Sequence, residues 1–573
     1  MLMNVFQKFN NWMKVKCLRK YSDIFQLSAL FLFNCFLVLS KLTPELYRIN
    51  PHDGAKYIES GRMLLIWGVR DLSWGPLVAF IYAPLHLIVG NSLNWFMLEA
   101  WAGNVILFGL LWVGIFLLAR HLKAYISSMV IIGLLFSLIV FFPIIENQSD
   151  ALFLVFSMLA LLNLNTFRLK GQLKNLTFAS LFVGLGVLCR VETILLVFPL
   201  LLFALIFNKK RHQWYKLVLV GITPIICTLL LYALISFLTL GFVDLGLGNK
   251  SFESFEMNQA FLPGSKHEQA YFSGEEIFGD HQNSVFKAVL NNPLAVGERA
   301  LANVLKLPQS FLKFFGDQQG PIIFFFSLLG IFSLIKAKDY ELLALLLVWP
   351  LHAFVSLIFL PRHIIAQISF VFIILAAIGI TQFILLSKHR KPSWIFVVFS
   401  VLLVVISGLT QNKVLFTSAF FLFVIFLTKA MTDMVKIKAL DVPYATIILF
   451  FMILMMLGSS FEFPARPIGK SAPEQAIHHL QITLPENSIV MAPTPIVPIA
   501  AKMESVGLPR NIDSTDGFIS FLIENNVSAV YIDSTLPYSY EIISATLDRY
   551  PEKFTSLYES DDGSFQVFLT ALP

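Results

Sequence analysis

Runs of about twenty apolar residues recur along this chain of 573 residues, and they limit its fold more than any other feature. A helix needs roughly that length of apolar sequence to cross the hydrocarbon core of a bilayer. Such runs lie near 26–43, 98–119, 124–143, 150–167, 175–189, 192–208, 217–239, 321–336, 341–360, 364–386, 393–409, 414–430 and 443–461, thirteen in all. The run 76–90 is shorter and broken by Pro84, which suits an interfacial or re-entrant helix. Apolar residues make up 57% of the chain and charged residues only 14%, with a mean hydropathy of +0.74. A soluble domain is nearer about a quarter charged, so an ordinary soluble fold is excluded, as are disorder, coiled coil and a secreted disulfide scaffold. Cys17 lies in a basic N-terminal segment, and Cys35, Cys189 and Cys227 lie in apolar runs, so none is placed to staple an exposed domain. The sequence predicts a polytopic α-helical membrane protein with about 13 transmembrane helices.

Basic clusters test that count, because Lys and Arg are retained on the cytoplasmic side. Lys8, Lys14, Lys16, Arg19 and Lys20 precede the first run. Arg120 and Lys123 follow the second, Arg168, Lys170 and Lys174 the fourth, and Lys209, Lys210, Arg211 and Lys216 the sixth. Lys336 and Lys338, then Lys388, Arg390 and Lys391, then Lys429, Lys436 and Lys438 follow the eighth, tenth and twelfth. Every even-numbered exit is basic, as a thirteen-span chain with its N-terminus in the cytoplasm requires. The first run lacks a small-residue cleavage site and reads as a retained span. The net charge of +6 says little until it is placed by side of the membrane, and the scatter of Lys and Arg in short clusters between apolar runs argues against a nucleic-acid partner.

Three segments then face outward: 44–97, 240–320 and a tail from 463. This divides the chain into a membrane domain over 1–462 and an extracytoplasmic domain over 463–573. In the tail, Ser471-Ala472-Pro473-Glu474 is a capping-box start for a helix reaching Leu480. Strands are predicted at 488–493 and 528–533, helices at 515–525 and 538–549, and a final hairpin turns at Asp561-Asp562-Gly563. Alternating strands and helices make this a small α/β domain. It carries no cluster at metal-ligand spacing and no phosphate-cradling glycine loop.

The candidate site residues are the charged groups at the outer rim. In the first outer loop Asp53 follows Asn50-Pro51-His52 and opens a stretch of helical character, with Tyr57 one turn on and on the same face. Asp53 reads either as a helix N-cap or as an acid that takes a proton from an acceptor hydroxyl or amine. Glu146 and Asp150 stand four apart at the outer end between the third and fourth runs, and Asp150 also suits a helix N-terminus. Arg190-Val191-Glu192 interrupts two apolar runs. Charges at membrane depth are costly and usually face a partner or a cavity, so this is either an Arg190–Glu192 pair at a helical hairpin or a binding group. Arg362-His363 is the place where arginine stands outside against the orientation bias, and a guanidinium there suits phosphate oxygens. Residues 293–314 in the second outer loop form an amphipathic stretch apt to lie on the membrane surface.

In layout the chain resembles the GT-C membrane glycosyltransferases, in the branch of protein O-mannosyltransferases and lipid A aminoarabinose transferases. The residues carrying the resemblance are Asp53, Tyr57, Gly61 and Pro76-Leu77 in the first outer loop, Ser149-Asp150, Gly184-Leu185-Gly186 leading to Arg190 and Glu192, and Arg362-His363. The resemblance implies the GT-C fold and transfer of a hexosyl or pentosyl group from a polyprenyl-phosphate-linked donor to a glycan, lipid or protein acceptor, with inversion. It implies Asp53 as the catalytic carboxylate with Glu146 or Asp150 assisting, Arg190 and Arg362 on the carrier phosphate, and Tyr57, Glu192 and His363 lining the substrate site. It further implies a multi-pass protein of a bacterial inner or plasma membrane. Many relatives carry a second acid after the loop aspartate, whereas Gly54 follows here, so metal-independent chemistry without a cofactor is expected.

A flippase for a lipid-linked sugar is the main alternative, but it would place charges at mid-depth and break helices in corresponding halves. An O-antigen-ligase-like transferase is argued against by the α/β tail. A receptor anchored by its spans would not need so many of them.

Overall fold

A computed structural model of the chain describes residues 53–67, 76–121, 148–208, 212–240, 285–315, 320–350, 370–379, 471–507, 514–534 and 541–571, with the single positions 243 and 368. The predicted runs 26–43, 124–143, 393–409, 414–430 and 443–461 lie outside these residues. The described residues group into two compact units. One contains those of 38–106, position 148 and 462–573; the other contains those of 107–145 and 149–461.

The first of these units opens with α1 (Asp53–Trp67), α2 (Pro76–Val89) and the start of α3 (Trp95–His121). The helical character read after Asp53 is a helix over the described residues Asp53–Trp67. Helix α2 keeps Pro84 inside it, and its 14 residues span only about 21 Å, short of the hydrocarbon thickness. Tyr82 is fully buried where α1, α2 and α3 meet. A Cβ on Gly61 would lie 2.4 Å from the Tyr82 Cβ, and one on Gly103 would lie 2.4 Å from the Tyr82 ring. The two glycines are thus what lets three helices close on one aromatic side chain.

The second unit is helical throughout its described residues. It continues α3 and adds α4 (Gln148–Lys170), α5 (Leu173–Val187), a 3-10 turn (Val191–Leu196), α6 (Val197–Ile206) and α7 (Trp214–Leu240). Then follow α8 (Val285–Asn291), α9 (Pro293–Phe315), α10 (Gly320–Lys336), α11 (Tyr340–Val348) and α12 (Phe370–Gly379). Among the described residues, two stretches are by themselves long and apolar enough to cross a membrane, Asp150–Lys170 and Trp214–Ile235. The second exposes Leu219, Ile226, Leu230, Leu231 and Leu234. So large an apolar face is untenable in water and fits lipid. Small residues let helices touch, as usual where lipid removes the hydrophobic drive to associate. A Cβ on Gly184 of α5 would meet Thr228 Oγ1 of α7 at 2.9 Å, and Ser327 Oγ of α10 donates to the Phe372 carbonyl of α12 at 2.9 Å. At the other end of α4, Arg168 is buried and reaches Asp339 Oδ1 at 2.6 Å, just before α11. Helix α9 matches the amphipathic stretch, with Leu294, Leu301 and Leu305 exposed along one side.

The tail completes the first unit with α13 (Ala472–Thr483), β1 (Ile489–Met491), α14 (Ile496–Ala500), β2 (Glu504–Val506), α15 (Thr515–Glu524), β3 (Val527–Asp533), α16 (Glu541–Arg549), β4 (Phe554–Glu559) and β5 (Phe565–Thr570). Helix α13 starts at the predicted box, where the Ser471 N–H donates to Glu474 Oε2 at 3.2 Å. The five strands form one sheet in the order β2-β1-β3-β5-β4. β1 pairs parallel with β2 and β3, while β3–β5 and β5–β4 are antiparallel. Met491, Phe518, Leu522, Val530 and Ile543 close the core beneath it. In the hairpin turn Asp562 accepts from Ser560 Oγ at 2.7 Å and from the Ser564 N–H at 3.0 Å, which holds its carboxyl down to about 2. The helical architecture and the C-terminal sheet agree with the sequence reading, while the described residues do not establish thirteen spans. The short elements β2 and α14 were not foreseen.

Two glycine substitutions should part in sign. Gly61→Ala drives a methyl into Tyr82 and should cost about 1–3 kcal/mol, as overpacking does. Gly297→Ala meets nothing within 4 Å on exposed α9 and should gain up to about 1 kcal/mol from helix propensity. Thermal unfolding in detergent checks both.

Candidate functional site

Asp53 is the first described residue of α1, and its side chain lies outside the described residues. Tyr57, one turn further, is buried. Both belong to the unit that contains the tail.

Asp150 and Arg190 come together in the other unit. Asp150 lies in the first turn of α4 and is only 2% exposed. Arg190 is placed by the end of α5, where the Cys189 and Arg190 N–H groups both donate to the Gly186 carbonyl, at 3.0 and 2.9 Å. Its backbone is extended, and its carbonyl accepts from the Thr193 N–H to start the 3-10 turn. From there Nη1 donates to Asp150 Oδ1 at 2.6 Å. Asp150 is therefore Arg190's ion partner, forty positions away in sequence. Glu192 falls within the 3-10 turn, and its side chain lies outside the described residues. Glu146, Arg362 and His363 also lie outside them.

Sequence reasoning missed a second set of charges in the unit that holds Asp53. On α1, Lys56 Nζ lies 3.1 Å from Glu59 Oε2, and Arg62 Nη2 lies 3.8 Å from Glu59 Oε1. Arg62 is 1% exposed, and its Nη1 donates to Asn487 Oδ1 at 3.0 Å. Between α2 and α3, His86 Nδ1 and Glu99 Oε1 share a hydrogen bond of 2.7 Å, with the Trp95 ring edge-on to His86 at 5.0 Å. The signal was there to read: His86 and Glu99 are titratable groups in apolar runs, and such groups are rare without a partner. Among the described residues, no three His, Cys, Asp or Glu side chains gather to hold a metal ion. Gly54 offers no donor beside Asp53, and Glu59, the next acid on α1, is engaged by Lys56 and Arg62.

Apolar helices with small-residue contacts and a C-terminal mixed sheet make up a fold that solved structures share. The sequence profile described as "Dolichyl-phosphate-mannose-protein mannosyltransferase" matches residues 73–238. The fold is similar to that of ArnT from Cupriavidus metallidurans bound to undecaprenyl phosphate, with a TM-score of 0.55, 13% identity, and coverage of 95% of this chain and 97% of that one. The apo form of that protein gives a TM-score of 0.54 at 13% identity, again covering 95% of this chain and 97% of that one. An oligosaccharyltransferase from Archaeoglobus fulgidus matches more loosely, with a TM-score of 0.48 and 14% identity over 98% of this chain and 75% of that one. No curated protein matches the chain.

The Asp150–Arg190 pair should behave as a unit. Asp150→Leu or Arg190→Met alone leaves a buried charge and should cost about 3–5 kcal/mol, whereas the double substitution should recover part of that. Unfolding by SDS in mixed micelles measures the coupling. Simple additivity would mean that the pair is not coupled.

Proposed function

We propose that this protein is an inverting glycosyltransferase that moves a sugar from a polyprenyl-phosphate carrier to an acceptor at the extracytoplasmic face of the membrane. The observation that carries the reading is the match over 95% of this chain to the fold of ArnT, a protein solved with undecaprenyl phosphate bound. The profile match to dolichyl-phosphate-mannose-protein mannosyltransferases supports the same donor chemistry. The thirteen-span topology, with the N-terminus in the cytoplasm and the tail as a separate domain outside, belongs to this proposal.

In the proposed reaction the acceptor O–H or N–H attacks the anomeric carbon from the face opposite the phosphate. The proton passes to the Asp53 carboxylate, and the bond from the anomeric carbon to the phosphate oxygen breaks. Polyprenyl phosphate departs with the electron pair, and Arg362 stabilises its charge. Arg190 takes a modified part. Its Nη1 is committed to Asp150, so we assign it to the edge of the phosphate site, where Asp150 fixes its orientation. Asp150 then serves as an orienting group and not as a second base. Glu146, Glu192, Tyr57 and His363 are assigned to substrate contacts around this centre. A metal is not required, because the leaving group's charge is met by guanidinium.

Transfer from a polyprenyl-phosphoryl sugar in detergent tests the proposal. Asp53→Asn should slow it by about 10²–10⁴-fold, the usual contribution of a positioned base, with little change in stability. Equal rates for the two proteins would remove Asp53 from the mechanism.

A further inference from the structure

We propose that the C-terminal domain positions the outer-loop helix α1 for the reaction, with Asn487 and Arg62 as the positioning residues. The inference rests on the reading of Asp53, the first described residue of α1, as the base. Arg62 stands nine positions further along the same helix, about 13 Å on at the usual rise, so fixing one end of this rigid element fixes the other.

The attachment is built from both partners. Arg62 is 1% exposed, and a guanidinium so far from water needs an acceptor. Glu59 is 3.8 Å from its Nη2, while Nη1 donates to Asn487 Oδ1 at 3.0 Å. Asn487 sits in the left-handed region with φ 66°, a conformation that asparagine tolerates better than most residues. Its N–H donates to the Lys502 carbonyl at 2.9 Å, and Lys502 is itself left-handed with φ 63°. Two unusual backbone positions thus lock the turn before β1 and aim the amide oxygen at Arg62.

A second attachment lies at the end of α14. All five residues of this helix are buried, and it packs against α1. Its last carbonyl, on Ala500, accepts from Trp95 Nε1 at 2.9 Å and from Gln481 Nε2 at 3.1 Å. A helix-end carbonyl has no partner within its own helix, so the start of α3 and helix α13 are tied together through it. Trp95 also places its ring against His86, whose Nδ1 is bonded to Glu99. The domain therefore grips the outer-loop helices at both polar points, and the grip ends on the helix that carries Asp53.

The test uses the full chain in detergent. Asn487→Gly keeps the left-handed backbone but removes the acceptor, whereas Asn487→Asp keeps an acceptor for Arg62. Hydrogen–deuterium exchange is followed in peptides covering α1 and β3, together with kcat and KM for sugar transfer. In Asn487→Gly the α1 amides should exchange about tenfold faster while those of β3 stay protected, since a buried charged group has lost its partner. The kcat should fall about 10- to 100-fold, as misplacement of a reacting group predicts, with KM for the lipid donor unchanged. Asn487→Asp should restore both. Unchanged exchange in α1, or faster exchange with kcat intact, would overturn the positioning role. Wild-type protein inactive with every polyprenyl-phosphoryl sugar would instead strike at the transfer reading, while the exchange data still decide whether the grip exists.

Discussion

A charged group withdrawn from water must be neutralised or hydrogen-bonded, because an uncompensated charge in a low-dielectric interior costs several kcal/mol. That requirement organises this protein. Arg190 meets Asp150, Arg168 meets Asp339, His86 meets Glu99, and Arg62 meets Asn487 and Glu59. Most of these pairings join separate elements, so each fixes the angle or register of an apolar helix that packing alone leaves loosely specified. Lipid provides no hydrophobic drive between helices, which raises the structural value of every polar join. Small residues supply the complementary condition: Gly61, Gly103 and Gly184 let backbones approach where the polar groups lock them.

The same economy shapes the proposed chemistry. A glycosyl transfer that releases a phosphate needs a base on one side of the anomeric carbon and cations on the other, and neither may be mobile. The Arg190 guanidinium, held on Asp150, is placed by an ion pair. The tail has a core beneath a five-stranded sheet, and its short helix α14 and the turn at Asn487 hold α1 and the start of α3.

Much of the fold was legible because it is written in local patterns. Apolar runs anticipate α3 through α7 and α10, and the tail's strands and helices fall within a few residues of their predicted bounds. The signals failed where an element was too short to show a period, as with Glu504-Ser505-Val506 in β2 and Ile496-Val497-Pro498-Ile499-Ala500 in α14. Pairings were legible only as a need for partners. Arg190 plainly required an acid, but the neighbouring Glu192 was the obvious choice, and Asp150 is identified only once α4 and α5 are folded. Arg62 and Asn487 stand 425 positions apart, and no spacing rule reaches that far. Glu99 was passed over because it sits at the edge of an apolar run, where a single acid is easily taken as a flank.

The central claim is that one water-facing site on the extracytoplasmic side receives a carrier phosphate and presents the Asp53 carboxylate to the sugar it bears. The most direct measurement is a cryo-electron microscopy structure of the full chain with polyprenyl phosphate bound in lipid nanodiscs. The account predicts the phosphate on Arg362, with Arg190 at its edge, the head of α1 lining the same cavity and the isoprenoid chain running between apolar helices. A phosphate bound at the cytoplasmic leaflet, or one whose cavity excludes the head of α1, would contradict it.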